Sequence, residues 1–432
     1  MRTRIASALT AALAAATAVT GLPAAVTSAE AAAPARKITF DRWTSSADFA
    51  AGKARGVRVS KGRIVFDEPA GASAGTERAS WVSPWVEPGF DLTELIASWH
   101  AGTPGASWVD LEVRGRDRNG RSSWDTLASW ARDDEEFTRT SPSSQTDDLG
   151  RVSYDTWLTG GASAWQLRVT LRRPTGSRAV PKVFSVGAMA SRLPDVSSVA
   201  TSKPDASSGA LGKVLPVPRY SQMAHKGYYQ QYDGGGAAWC SPTSTTMVLD
   251  YYDALPSKRA YSWVREDYPD RVVAHVARQT YDAGFGGTGN WPFNTAYAAA
   301  LTGDGFVTRL RNLREAERFI AAGIPLVASV KFSAGQLDGA PISSTNGHLM
   351  VVVGFRKNGN VVVNDPAAPT RAGVRRTYDR GQFEDAWLKR SSSGGGSGGV
   401  VYVIHDEDHP LPNPAKRNWG LLGGFAWGLT PR

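Results

Sequence analysis

A single cysteine among 432 residues excludes an internal disulfide, so stability has to come from hydrophobic cores large enough to stand alone. Lys and Arg number 49 against 40 Asp and Glu, a net charge of +9, which draws the chain toward polyanionic surfaces such as cell-wall polymers. No tight Lys/Arg cluster interleaved with aromatics occurs, so no nucleic-acid partner is expected, and after the first 33 residues no stretch approaches the roughly 20 apolar residues of a transmembrane segment.

Residues 1–33 carry Arg2 and Arg4, then an apolar run of Ala, Leu and Val, then small residues at Ala31 to Ala33. That is the pattern of a secretory signal peptide, and it predicts an extracellular protein. Residues 38–194 read as short strands and turns. Between Trp108 and Arg114, Val109, Leu111 and Val113 alternate with Asp110, Glu112 and Arg114, and Asn119-Gly120 supplies a hairpin turn before Trp124. Trp165, Leu167, Val169 and Leu171 repeat the alternation, and no helix is predicted. The expected fold is an all-β sandwich of the jelly-roll kind. Its tryptophans at 43, 81, 85, 99, 108, 124, 130, 157 and 165 suit a packed core, with a sugar-stacking platform as the alternative. As a binding domain it would tether the chain to a cell-wall polymer.

Residues 195–213 are Ser, Ala, Pro and Gly with few large apolar side chains, the composition of a linker. It predicts two independently folding domains, with chemistry confined to the second, residues 214–406. The remaining 407–432 read as a polar C-terminal tail. His405 and His409 flank acidic residues there, too few ligands for a metal site.

In the second domain, Trp239-Cys240-Ser241-Pro242-Thr243-Ser244 places the lone thiol at a helix start, with Pro242 in the first turn and Met247, Val248, Tyr251 and Tyr252 as an apolar stripe. A positive helix end favours a thiolate, which is how a protein makes a sulfur nucleophile. Helices are predicted over 270–283, 294–301, from Asn312 to Gly323, and over 383–388. Strands are predicted at 326–330, 348–354, 360–365 and 400–404. This is an α+β arrangement with helices first and an antiparallel sheet after.

A thiolate attacking a carbonyl needs a base, a group that orients the base, and donors for the oxyanion. His348 opens one strand and Asp365 closes the next, so a short hairpin brings both to one edge of the sheet. Asn364 and Asp365 point to opposite faces, so only one of them can orient the imidazole, and Asp365 is the one expected to. The glycines of Gly286 to Phe293 lack the setting of a phosphate loop. Asn290, Trp291 and Pro292 there predict an exposed rim that borders a substrate cleft.

Val217-Pro218-Arg219-Tyr220-Ser221-Gln222, the Trp239-to-Ser244 stretch, Gly347-His348 and Asn364-Asp365-Pro366 resemble the motifs of the bacteriocin-processing cysteine peptidases and their stand-alone relatives, in the papain-like superfamily. The resemblance implies a papain-like fold in which Cys240 is nucleophile, His348 general base and acid, Asp365 its orienter and Gln222 an oxyanion donor beside the Cys240 backbone N–H. Trp239, Asn290 and Trp291 are then the candidate substrate-binding residues. The implied activity is hydrolysis of a peptide or protein substrate, with no cofactor and no metal. No transporter segment follows, so the family's leader-peptide substrate is not carried over. A cell-wall peptide amidase using the same residues and an inactive binding module that keeps the fold are the alternative readings.

Overall fold

The computed structural model describes residues 35–146, 148–390, 396–413 and 417–420. The signal-peptide expectation therefore lies outside the described residues.

The N-terminal region folds as two antiparallel sheets of eight and seven strands. Their facing sides bury Trp81, Trp99, Trp130, Trp157 and Trp165 completely. Trp81 Nε1 donates to the Phe49 carbonyl at 2.8 Å and Trp157 Nε1 to Asp125 at 2.6 Å, so these two indoles satisfy their polar atom inside the core. The core explanation thus holds for most of the tryptophans, while Trp85, Trp108 and Trp124 are only half-buried. One helix was not expected: α1 (Ser46–Ala50), started by a capping box between Ser45 and Asp48. At five residues it is too short for a helical period to show in the sequence.

The C-terminal region builds one six-stranded antiparallel sheet, in the order Asp304–Arg309, Val400–His405, Leu326–Phe332, Thr345–Phe355, Val361–Asn364 and Arg375–Tyr378. Around it lie α2 (Cys240–Tyr251), α3 (Arg271–Thr280), α4 (Trp291–Thr302), α5 (Leu313–Ala321) and α6 (Arg380–Leu388). The first and last strands of the sheet were missed, because Asp304-Gly305 reads as a turn and Arg375-Arg376-Thr377 as loop. α2 departs from its expected single stripe. It is buried from Ser241 to Leu249, as a helix packed on all sides must be. α5 starts as expected, with the Asn312 side chain accepting from the Glu315 N–H at 3.3 Å.

The two regions share their cores. In the sandwich strand Leu92–Gly102, Leu95, Ala97, Trp99 and Ala101 face the other sheet, and Ile96 faces the C-terminal core. On that same outward side Ser98 Oγ accepts from the Val307 N–H at 2.9 Å, His100 Nδ1 donates to the Gly303 carbonyl at 3.1 Å, and Glu94 pairs with Arg309 at 2.6 Å. Phe40 stacks on Phe306 with ring centroids 4.6 Å apart, while Phe293 of α4 enters the sandwich core edge-on to Trp99. An outward face that would meet water in a free sandwich is therefore apolar and ion-paired against the second region.

The expected linker is held in place for the same reason. Val196 bridges Arg390, Ser202 bonds Glu384, the Asp205 N–H donates to Glu317, and Ala210 is fully buried. Small polar residues serve here to reach backbone and carboxylate partners, a use that composition cannot distinguish from flexibility. The tail is anchored too. Trp419 is buried against Phe319, and Arg417 pairs with Asp41 of the sandwich.

Independent folding of the two regions is accordingly withdrawn. A fragment beginning at Leu211 would bare Phe293 and Phe306 and leave Arg309 without Glu94. It is expected to aggregate or to unfold without a cooperative transition. In the full chain, Phe293→Ala should lower stability by about 3–5 kcal/mol, the usual loss for a buried phenylalanine, in a single urea transition followed by both tryptophan fluorescence and circular dichroism. A soluble, cooperatively melting fragment would refute the shared core.

Candidate active site

Cys240 is the first residue of α2 and half-buried. The N–H groups of Cys240 and Ser241 fall in that first turn, ahead of the first intrahelical bond, which Thr243 makes to the Trp239 carbonyl at 3.1 Å. Ser241 Oγ lies 2.8 Å from the hydroxyl of Tyr402, and Ser244 Oγ donates to the Leu349 carbonyl at 3.1 Å. These two buried bonds fix the helix start against the strand Val400–His405 and against the strand that carries His348.

His348 Nε2 lies 2.7 Å from Asp365 Oδ1, and both side chains are buried. Cys240 is within hydrogen-bonding reach of the imidazole, and with Nε2 engaged Nδ1 is the nitrogen left for it. The expected hairpin makes this meeting, pairing Val351 with Asn364. Asn364 turns the other way and donates to the Val217 and Pro218 carbonyls, as its opposite face requires. Asp365 is satisfied at both oxygens. Oδ1 also accepts the Ala367 N–H at 3.0 Å, and Oδ2 accepts the Tyr378 hydroxyl at 2.8 Å. Tyr378 was missed because its strand was missed.

Burial works against charge on the imidazole, but the Asp365 carboxylate, its hydrogen bond and the neighbouring sulfur outweigh it, and the His348 pKa is raised from 6.5 to about 10. Burial likewise works against the Asp365 carboxylate, but His348 and the Tyr378 hydroxyl hold it below its ordinary value. The Tyr378 hydroxyl is itself pushed up by burial and by Asp365.

Gln222 lies well before Cys240 in sequence and is tied to the short turn that leads into the Cys240 helix. Its Nε2 donates to the Ala237 carbonyl at 2.7 Å, and its backbone N–H donates to the Pro366 carbonyl at 2.9 Å. The intervening loop closes through glycines that no other residue could replace. Gly235 has φ +91°, and a Cβ on Gly236 would come within 2.4 Å of the His225 Cβ. His225 is fully buried behind this turn, with Nδ1 2.9 Å from the Tyr268 hydroxyl, and burial lowers its pKa to about 4. It packs beside Trp239 as a neutral ring.

Two expected substrate contacts are corrected. Trp239 is completely buried, with Nε1 donating to the Tyr232 carbonyl at 2.7 Å. Asn290 is buried as the N-cap of α4, its Oδ1 accepting from Phe293 N–H and its Nδ2 donating to Asp282. The expected exposed rim at 290–292 is instead the start of a helix. Trp291 is half-buried and lines a cavity of about 460 Å³ together with Cys240, Gly347 and Leu349. Tyr154 and Asp155 of the sandwich line the same cavity, Asp155 Oδ2 accepting the Trp291 N–H at 3.3 Å. Tyr154 has φ +52° and packs on Phe285 with ring centroids 4.8 Å apart. Nothing in the local sequence marks this turn as part of the site, since only the joined cores carry it there. Among the described residues no group of three or more His, Cys, Asp or Glu side chains could hold a metal ion.

The pair sets a pH signature. A ring whose folded pKa is raised from 6.5 to about 10 stabilises the fold fully below about 6.5 and loses that contribution as pH rises through about 10. Asp365 contributes above its ordinary value and loses its share as pH falls below it. The stability gap between the natural chain and Asp365→Asn should therefore be wide near pH 6 and narrow toward pH 10, read from urea midpoints. A gap independent of pH would remove the charge pair. Tyr378→Phe should destabilise by about 1–3 kcal/mol, the penalty for a buried acceptor left unpaired.

Residues 214–394 match the model of the Peptidase C39-like family, and residues 39–191 match the Peptidase C39 N-terminal domain. Among solved structures, the chain is similar to a C39-like peptidase candidate from Bacillus anthracis, at 16% identity and a TM-score of 0.28, over 44% of this chain and 97% of that one. That likeness carries no weight in the argument. None of the curated proteins matches the chain. The two family matches cover the sandwich and the α+β region that carries the cysteine and histidine, and the chain belongs to the Peptidase C39-like family with a C39 N-terminal domain.

Proposed function

We propose that this protein is a secreted cysteine peptidase of papain-like type that hydrolyses peptide or amide bonds, with a jelly-roll-like sandwich in front of it. The observation that carries the reading is the buried His348–Asp365 pair at 2.7 Å, with Nδ1 left for a half-buried thiol at a helix N-terminus. In this reading Cys240 is the nucleophile, His348 the base and acid, and Asp365 the positioning carboxylate. Gln222 Nε2 and the Cys240 N–H stabilise the oxyanion.

The chemistry follows from the protonation already favoured. The Cys240 sulfur forms a bond to the substrate carbonyl carbon while the carbonyl π pair moves onto oxygen. Collapse of that oxyanion breaks the C–N bond as the imidazolium proton passes to the departing amine. Water then gives a proton to Nδ1, attacks the thioester carbon and releases the acid, restoring the sulfur. Secretion rests on the residue 1–33 pattern, and the basic net charge of +9 suits an extracellular polyanionic surface. An inactive binding module would have no use for a desolvated, doubly satisfied carboxylate holding an imidazole beside a thiol.

With a fluorogenic peptide library, Cys240→Ala and His348→Ala should each lower kcat/KM by about 10⁴-fold or more, and the double variant should be little worse, because residues acting as one unit are not additive. Activity near the natural level in Cys240→Ala sinks the reading. Gln222→Ala is expected to lower kcat by about 10²–10³-fold. Tyr154→Ala should raise KM with kcat nearly unchanged, since the sandwich turn lines the cavity without reaching the reacting atoms.

A further inference from the structure

The seven-stranded sheet of the sandwich turns its other side to solvent, and that side is unusual in its charge. Arg116 lies 4.8 Å from the Trp85 ring, Arg114 lies 5.3 Å from Trp85 and 4.4 Å from Trp124, and Arg168 lies 4.5 Å from Trp124. Guanidinium and indole groups thus alternate in a row across two strands and two loops. The carboxylates of this face are already taken: Glu87 by Arg116, Glu112 by Arg168 and Asp110 by Arg172. Arg114 bonds only the neutral amide oxygen of Gln166, at 2.6 and 3.0 Å. Burial, then the charges of Arg121 and Arg168, hold its guanidinium below the ordinary arginine value, as positive charge without a counter-charge requires.

Trp85, Arg114, Trp124, Gln166 and Arg168 line a cavity of about 480 Å³, to which Lys53, Arg55 and Arg121 add three exposed cations. None of the three has an acidic partner among the described residues. A second cavity of about 230 Å³ shares Arg55 and Arg168 and adds Arg78 and Arg172, so the trough runs on across the sheet.

We propose that this trough is a binding site for a linear polymer of phosphodiester-linked polyol units. A phosphodiester presents two equivalent oxygens to one guanidinium fork and keeps its charge at every pH at which the protein folds. A trough that crosses several strands fits a chain with a repeating charge rather than a single small anion. Trp124 and Trp85 are each already met by two guanidinium groups, which compete with a nucleic-acid base for those rings. The polyol between phosphates has no ring to place. The site stands apart from the Cys240 cavity, on the sheet that does not carry Tyr154, and does not rest on the peptidase reading.

The test is binding of the full chain to immobilised poly(glycerol phosphate) over a range of salt concentrations. The affinity should fall linearly on a log–log scale with salt, as counterion release requires. A triple Lys53→Gln, Arg55→Gln, Arg121→Gln variant should bind at least about tenfold more weakly, with the salt slope shallower by about three, one for each lost phosphate contact. Its melting temperature and its turnover of short soluble peptides should match the natural chain. A control triple, Lys226→Gln, Lys258→Gln, Arg259→Gln, changes the net charge equally and should bind as the natural chain does. The proposal is overturned by absent binding, by equal weakening in the control, or by tighter binding of single-stranded DNA or polygalacturonate than of the polyol phosphate.

Discussion

Asp365 is a carboxylate with no access to water, and much of the C-terminal region is arranged to make that tolerable. A buried charge stays ionised only where partners replace its hydration. Three come from three directions: the imidazole from the strand before, the Tyr378 hydroxyl from the strand after, and the Ala367 N–H from its own turn. Each depends on strand register, since a slip of one residue would turn every side chain to the other face. Asn364 shows the alternative, one position away and bonded to the opposite side. The order of the strands Thr345–Phe355, Val361–Asn364 and Arg375–Tyr378 and the turn at Pro366 bring all three partners to one acid.

The second constraint is the joint core. Arg309 is almost wholly buried, and its charge is met by Glu94 of the sandwich. Removing one partner of such a pair leaves an uncompensated charge and costs far more than the pair contributes. Together with the Phe40–Phe306 stack and the entry of Phe293 into the sandwich, this makes the sandwich part of the wall around Cys240. A cavity bounded by two regions with one shared core keeps its shape without a hinge.

What the sequence disclosed follows from this division. Local signals were legible. The Cys-Ser-Pro helix start, the Asn312 cap, the alternation of Val109, Leu111 and Val113, and the spacing of His348 and Asp365 each depend on residues near one another in the chain. Long-range facts were not. Tyr378 lies on a strand too polar to read, and Trp239 and Asn290 look like surface residues until the surrounding packing buries them. The 195–213 stretch has the composition of a tether, and only the positions of Glu317, Glu384 and Arg390 reveal that its backbone is bonded along its length.

The same two-residue period that closes the sandwich core also gives its two outer faces separate uses. On the strand Leu92–Gly102 the outward positions are Glu94, Ile96, Ser98 and His100, and they are spent on the C-terminal region. On the strand Trp108–Asp117 the outward positions are Asp110, Glu112, Arg114 and Arg116, and this side packs against no second region, its two acids paired with Arg172 and Arg168 of the neighbouring strand. A strand buried on both faces should read as a nearly continuous apolar run, and one buried on a single face as a clean alternation. Ile96 interrupts the alternation of the first strand between Glu94 and His100, whereas from Val109 to Arg114 the second alternates without a break. That single difference, visible in the sequence, separates the face that docks from the face that stays free.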